Sequence, residues 1–154
     1  MPRVPNEWND YWQLLERQFG MVAKRDFHTL MWRYIERPGK RYRLLSIPGV
    51  PALAVVGFES EQAYLMEFLL EEGNTVAAQL LLRAVESLCG AEGAETLEGW
   101  FPRFAWTCEF LVGMGGFTGV VADNYFECCL FDSRLCASWL AEHFYYSLGD
   151  YDVF

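Results

Sequence analysis

Glu67 is the only charged residue in the run Gln62–Leu70 (QAYLMEFLL), where every neighbour on either side is apolar or aromatic for several positions. Side chains alternate along a strand, so Tyr64, Met66 and Phe68 are expected on one face and Leu65, Glu67 and Leu69 on the other. A carboxylate in such company has two uses. Burial beside Met66 and Phe68 would raise its pKa toward the range where a general base deprotonates an amine. An ion pair with an arginine would make it structural instead. Tyr145 and Tyr146 are further proton-donor candidates. No order of Ser, His and Asp suits a nucleophilic triad, and neither of the two histidines, His28 and His143, pairs with a cysteine by spacing. The five cysteines, at 89, 108, 128, 129 and 136, are odd in number and lack both CxxC spacing and a zinc-like pattern with histidine. We expect no metal site, and five reduced thiols in a reducing compartment.

Charge narrows the partners. The formal net charge of −9 repels phosphate backbones and anionic lipids, which argues against nucleic acid or membrane as partner. The basic residues nevertheless cluster: Lys24, Arg25, Arg33, Arg37, Lys40, Arg41 and Arg43 are seven of the twelve. They form either a local anion site or a solvated face. Arg33 suits an acid such as Asp150 or Asp152, a phosphate, or a local surface pair equally well. The N-terminal stretch lacks the apolar segment of a signal peptide, and no apolar run reaches membrane-spanning length, so a cytoplasmic location is expected.

Stepping from residues to elements, 154 residues with 53% hydrophobic and 17% aromatic content exclude disorder and predict one domain over 1–154. Asn6 is expected to cap a helix to Phe19, ended by Gly20, and Asp26 a second over Phe27 to Glu36, stopped by Pro38-Gly39. Three strands follow, over 41–47, 52–59 and 62–70, joined by the Pro48 to Pro51 turn and the Ser60-Glu61 turn. Asn74 or Thr75 caps a helix to Leu88, with Leu80, Leu81, Val85 and Leu88 inward and Cys89-Gly90 at its end. A strand at 95–101, a helix at 104–114 ended by Gly115-Gly116, and strands at 120–131 and 139–148 complete the chain. Gly116 supplies a left-handed helix end and Phe117 folds back onto that helix.

This order, with the motifs Arg25-Asp26, Trp32-Arg33, Pro38, Tyr42, Trp100, Gly116-Phe117 and the tail Gly149-Asp150-Tyr151-Asp152, resembles the acyl-CoA N-acyltransferase (GNAT) superfamily. Within it, the chain resembles the GNAT-like domain of bacterial proteins associated with polysaccharide biosynthesis. The resemblance covers nearly the whole chain. It implies an α+β fold of mixed layers, with a central, mostly antiparallel sheet of about six strands, about four flanking helices and the family's first strand missing. It also implies transfer of an acyl group from acetyl-CoA or another acyl-CoA to an amine, with Glu67 where some members hold a catalytic Glu; Tyr145 is the second catalytic candidate, as proton donor. Trp100, at a strand end, would pack either against a ligand or in the core.

In the family, coenzyme A lies where the fourth and fifth strands splay apart, its pyrophosphate held by backbone amides opening the third helix. The residues this assigns to the cofactor are Leu69, Gly73, Asn74 and Thr75. The matching loop, Leu70 to Ala77, departs from the family pattern: it has one Gly, no basic residue, and two carboxylates, Glu71 and Glu72, that repel a pyrophosphate. Counting back from Gly116-Phe117 to the family's acid tyrosine reaches Val112, which can carry no proton. The alternative is therefore a degenerate GNAT-like domain that recognises a protein or substrate without binding CoA. A homodimer or a second GNAT-like domain would complete its sheet.

Overall fold

The structure, a computed structural model, describes residues 3–39, 41–120 and 131–151. Helix α1 (Trp8–Leu15) buries Trp8, Trp12 and Leu15, which recur at helical spacing, and a 3-10 turn (Glu16–Gln18) extends it. Glu7 rather than Asn6 occupies its N-cap, and no side chain caps it. Strand β1 (Met21–Val22) follows. Asp26 then caps α2 (Phe27–Leu30), its Oδ1 accepting the Thr29 N–H at 2.9 Å. The helix widens into a π turn over Met31–Ile35. That change of pitch puts Leu30 and Tyr34 inside while Trp32 is 62% exposed, and explains why the segment shows no single apolar stripe.

Strands β2 (Tyr42–Ser46), β3 (Ala52–Glu59), β4 (Gln62–Leu70) and β5 (Thr96–Gly99) form a sheet in that order. The first three are antiparallel, joined by tight turns in which Gly49 and Ser60 adopt positive φ. β5 runs parallel to β4, as a helical crossover requires, and pairs with it only from Gln62↔Thr96 to Leu65↔Gly99. The crossover is α3 (Thr75–Ala91). It runs through Gly90, past the expected end at Leu88, and stops where Gly93 takes positive φ. Its buried face is Ala77, Ala78, Leu81, Leu82, Val85 and Cys89; Leu80, expected inward, is exposed.

Register sets which layer each residue joins. Val55 faces Glu67 and Val56 faces Leu65, so Met66 is an extra residue that bulges β4. Leu65 and Phe68 therefore both pack under α3 with Leu81, Val85 and Phe110. Met66 and Leu69 join Trp8, Leu30, Tyr34, Leu53 and Val55 beneath α1 and α2, on the side to which Glu67 turns. The expected alternation across Tyr64 to Leu69 is thus corrected by one residue.

Helix α4 (Trp106–Gly113) ends as expected: Gly116 has φ 74°, and the Phe117 N–H returns to the Leu111 carbonyl at 3.0 Å. The strand expected over Trp139 to Leu148 is instead α5 (Ala137–His143) followed by β6 (Phe144–Tyr145). Ala137, Leu140, Ala141 and Glu142 are good helix formers, and Leu140 alone in that helix is buried. β6 pairs parallel with β1 in a separate small sheet. Of the strand expected at 120–131, positions 121–130 lie outside the described residues. Among the described residues the fold is α+β, with five α-helices around a mostly antiparallel four-stranded sheet and a two-stranded parallel one, rather than one sheet of six. No described helix is long and apolar enough to cross a membrane.

Candidate functional site

Glu67 is fully buried, and both its carboxylate oxygens are bonded. Oε2 accepts from Arg25 Nε at 2.9 Å and from the Ser147 hydroxyl at 2.8 Å, while Oε1 accepts from the Tyr34 hydroxyl at 2.8 Å. Arg25, 1% exposed, also donates to the Ala23 carbonyl at 2.6 Å, to Ser147 Oγ at 3.1 Å and to Asp150 Oδ2. Asp150 receives Arg33 at 3.4 Å and the Ser147 N–H at 3.0 Å. Trp8 Nε1 holds the Arg25 carbonyl at 2.7 Å. Two cations and two carboxylates thus alternate in one cluster, buried at Arg25 and Glu67 and partly exposed at Arg33 and Asp150, that ties β4 to the N-terminal layer and the C-terminal tail. Burial opposes the charge on Arg25, but Glu67 and then Asp150 outweigh it and hold the guanidinium above its ordinary range. Burial, reinforced by Glu67, likewise pushes the Tyr34 hydroxyl well up, so it stays a donor. Of the two readings of this residue, the geometry contains the arginine pair, with both carboxylate oxygens bonded. Arg33 finds Asp150, one of its expected acids.

The loop that the resemblance assigns to a cofactor is closed on itself. The Glu72 N–H goes to Gln18 Oε1 at 2.9 Å, and Gln18 Nε2 donates to the Leu70 carbonyl at 2.9 Å. Asn74 Oδ1 takes the Ala77 N–H at 3.1 Å, and the Thr75 N–H goes to the Gly73 carbonyl at 2.8 Å. Gly73 has φ 81°, which serves this turn. Leu69 is buried with the α1 and α2 layer. Leu69, Gly73, Asn74 and Thr75 are therefore occupied with holding the β4–α3 connection, and the cap of α3 is filled by its own asparagine.

The opening lies next door, at the carboxyl ends of the parallel pair β4 and β5, where sheets of this kind form crevices. A cleft of about 190 Å³ is lined by Gln18, Phe19 and Gly20, by Glu72, by Phe104 to Thr107, and by Glu142, His143 and Tyr145. Tyr145 is 1% exposed, and its hydroxyl has no hydrogen-bond partner; Thr107 lies close by but outside bonding geometry. Burial and then Glu67 raise the Tyr145 pKa, against Arg25 and Thr107, so the phenol stays protonated. The Arg25 guanidinium sits 5.6 Å from the centre of the ring and fixes its back. His143 Nδ1 donates to the Trp139 carbonyl at 2.8 Å. A Cβ on Gly20 would meet His143 Cβ at 3.0 Å, so glycine there lets the α1–β1 turn close against the histidine. α4 starts at Ala105, without a side-chain cap, and the N–H groups of Trp106 and Thr107 have no partner among the described residues.

The structure thus separates the two expected catalytic residues: Glu67 is sealed in, and Tyr145 lines a cleft. Tyr146 is half-buried. Trp100 lies half-buried beside Tyr151, ring centres 5.0 Å apart, with Nε1 on Glu98 at 2.7 Å. Ser147 and Thr107 carry no sequence signal for these places; Arg25 stands out in sequence through the basic cluster and the Arg25-Asp26 motif, and the arginine partner expected for Glu67 is this one. Among the described residues no group of His, Cys, Asp and Glu could hold a metal ion. Compared with protein-family models, curated proteins and solved structures, the chain matches none of them.

Proposed function

We propose that this chain is a degenerate GNAT-like domain that works by recognition, not by CoA-dependent acyl transfer. The supporting observation is that the groups an acyltransferase would need are spent: Glu67 bonds Arg25, Tyr34 and Ser147, and the 70–77 loop directs its amides to Gln18, Asn74 and its own carbonyls. Opening that loop for a pyrophosphate would break these bonds beside Glu71 and Glu72, which are both exposed and negative. A cytoplasmic setting fits the free thiols Cys89, Cys108 and Cys136. A second copy or a second GNAT-like domain suits the open edge of β2.

One observation favours the acyltransferase. β4 and β5 pair over four residues and β4 then continues to Leu70 without β5, the kind of parting in which the family seats coenzyme A. Calorimetric titration with acetyl-CoA and free CoA, at low and moderate salt, decides between the two. We expect no binding at millimolar ligand. Micromolar affinity that Glu67→Gln leaves intact while turnover of an amine is lost would overturn the recognition reading.

A further inference from the structure

Strand β2 ends the four-stranded sheet with no partner on its outer side among the described residues. The Arg41 carbonyl takes the Phe58 N–H at 3.1 Å, and the Ile47 N–H goes to the Ala52 carbonyl at 3.4 Å. The odd residues of β2 therefore bond inward to β3, and Tyr42, Leu44 and Ser46 turn their backbone N–H and C=O groups outward. Above the same edge runs one flank of α3. Gly115, after α4, sits against Leu82, and the helical turn puts Val76, Leu80 and Ala84 on the opposite flank. All three are exposed, Val76 by 68% and Leu80 by 52%. Their flank lies over β2, because Glu92, just past the end of α3, bonds both Arg41 and Arg43, its Oε1 accepting from Arg43 Nε at 3.1 Å.

We propose that a second copy of this chain covers this edge, pairing β2 with β2 antiparallel about Leu44 across a two-fold axis. A copy brings an outward strand edge and an apolar helix flank at the same height, so strand meets strand and α3 meets α3 in one contact. In this register Leu44 meets its own counterpart, Tyr42 meets Ser46, and Arg43 meets Leu45 rather than another arginine. Leu44 and Leu45, half-buried in one chain, and the exposed Val76, Leu80 and Ala84 then leave water together. Charge selects this edge over the rest of the sheet. Arg41 and Arg43 are already neutralised by Glu92 within the chain. By contrast Glu59 and Glu61 at the β3–β4 turn, and Glu95 and Glu98 at β5, are exposed and would repel a copy of a chain with net charge −9. The assignment rests on the open edge invoked in the recognition reading above and names its partner.

The test is the mass of the full chain by analytical ultracentrifugation across the micromolar range, where twice 17.8 kDa is expected. Ser46→Pro removes an outward N–H that β3 does not use, and Leu80→Glu sets like charges on the α3 flank. Both side chains are exposed, so both variants should keep the circular dichroism of the parent. Each should weaken the dimer by at least about tenfold, since the two-fold axis applies every loss twice. Gln79→Glu, on the outer crest of the same helix, adds the same charge away from the contact and should leave the mass unchanged. A monomer throughout, or a dimer that either folded interface variant leaves intact, would overturn the assignment. So would Gln79→Glu separating the copies as far as Leu80→Glu does. CoA binding would sink only the recognition reading, since the mass is read without CoA.

Discussion

Two polar clusters lie a few residues apart in the same layer and have opposite character. Around Glu67 every charge has its counter-charge and both carboxylate oxygens are bonded. Around Tyr145, whose ring lines a cleft, a buried hydroxyl has no bonding partner. Both clusters draw on the segment Tyr145 to Asp150, and Arg25 touches both, bonding Glu67 and backing the Tyr145 ring. The contrast teaches where to look for function. A buried charge that is fully paired holds layers together, whereas a buried donor with nothing to bond costs stability.

The comparison breaks most violently at Glu67. Glu67→Ala leaves Arg25 buried with only the partly exposed Asp150 to balance it, and should cost about 3–5 kcal/mol in urea unfolding. A loss under about 1 kcal/mol would mean water reaches the cluster and that it is not sealed. Gly149→Ala attacks the same network sterically. Its Cβ would sit 2.5 Å from Glu67 Oε1 and press on the Tyr34 hydroxyl, so about 1–3 kcal/mol should be lost with no charge altered. If Gly149→Ala is harmless, the C-terminal tail does not close over Glu67 as tightly as the geometry requires.

These two residues also show what could be read from the sequence. The hairpins around Pro48 to Pro51 and Ser60-Glu61 and the caps Asp26 and Asn74 are local, and turn chemistry and side-chain oxygens reveal them. The ion pair of Glu67 with Arg25 spans 42 residues and its bond to Ser147 spans 80, and no local pattern encodes either. The bulge at Met66 carries no residue signature, so strict alternation put Glu67 on the wrong face relative to Met66. Trp139 to Leu148 misled by its aromatics: Trp139, Phe144 and Tyr145 suit a strand, yet the helix formers between them won up to His143. The cleft joins four separate segments of the chain, and nothing in any one of them announces it.

A smaller effect of opposite sign sharpens the contrast. Tyr145→Phe removes the unbonded hydroxyl and should stabilise the chain by about 1 kcal/mol, where Tyr34→Phe, which strips a donor from Glu67, should destabilise it by about 1–3 kcal/mol. Thermal or urea unfolding of the two variants side by side is the cleanest comparison, because the chemical change is identical. Equal signs would erase the distinction between a sealed and an open cluster.

The smallest effect concerns a charge pair one residue from Arg25 but at the surface. Lys24, 71% exposed, meets Asp26 Oδ2 at 2.7 Å. That bond, and after it the Thr29 N–H, lowers the Asp26 pKa from 3.8 to about 2. A depressed carboxylate pKa contributes stability that is present in full above the unfolded value, near 3.8, and is lost as pH falls through about 2. Asp26→Asn keeps a capping oxygen for Thr29 and loses only the charge, so at neutral pH it should cost under about 1 kcal/mol. The gap between the two proteins should close as urea titrations are moved from pH 5 down to pH 2, and narrow with added salt. A gap that persists at pH 2 would mean that something other than the charge separates Asp26 from asparagine. In that case solvent exposure would not be what separates this pair from its buried neighbour.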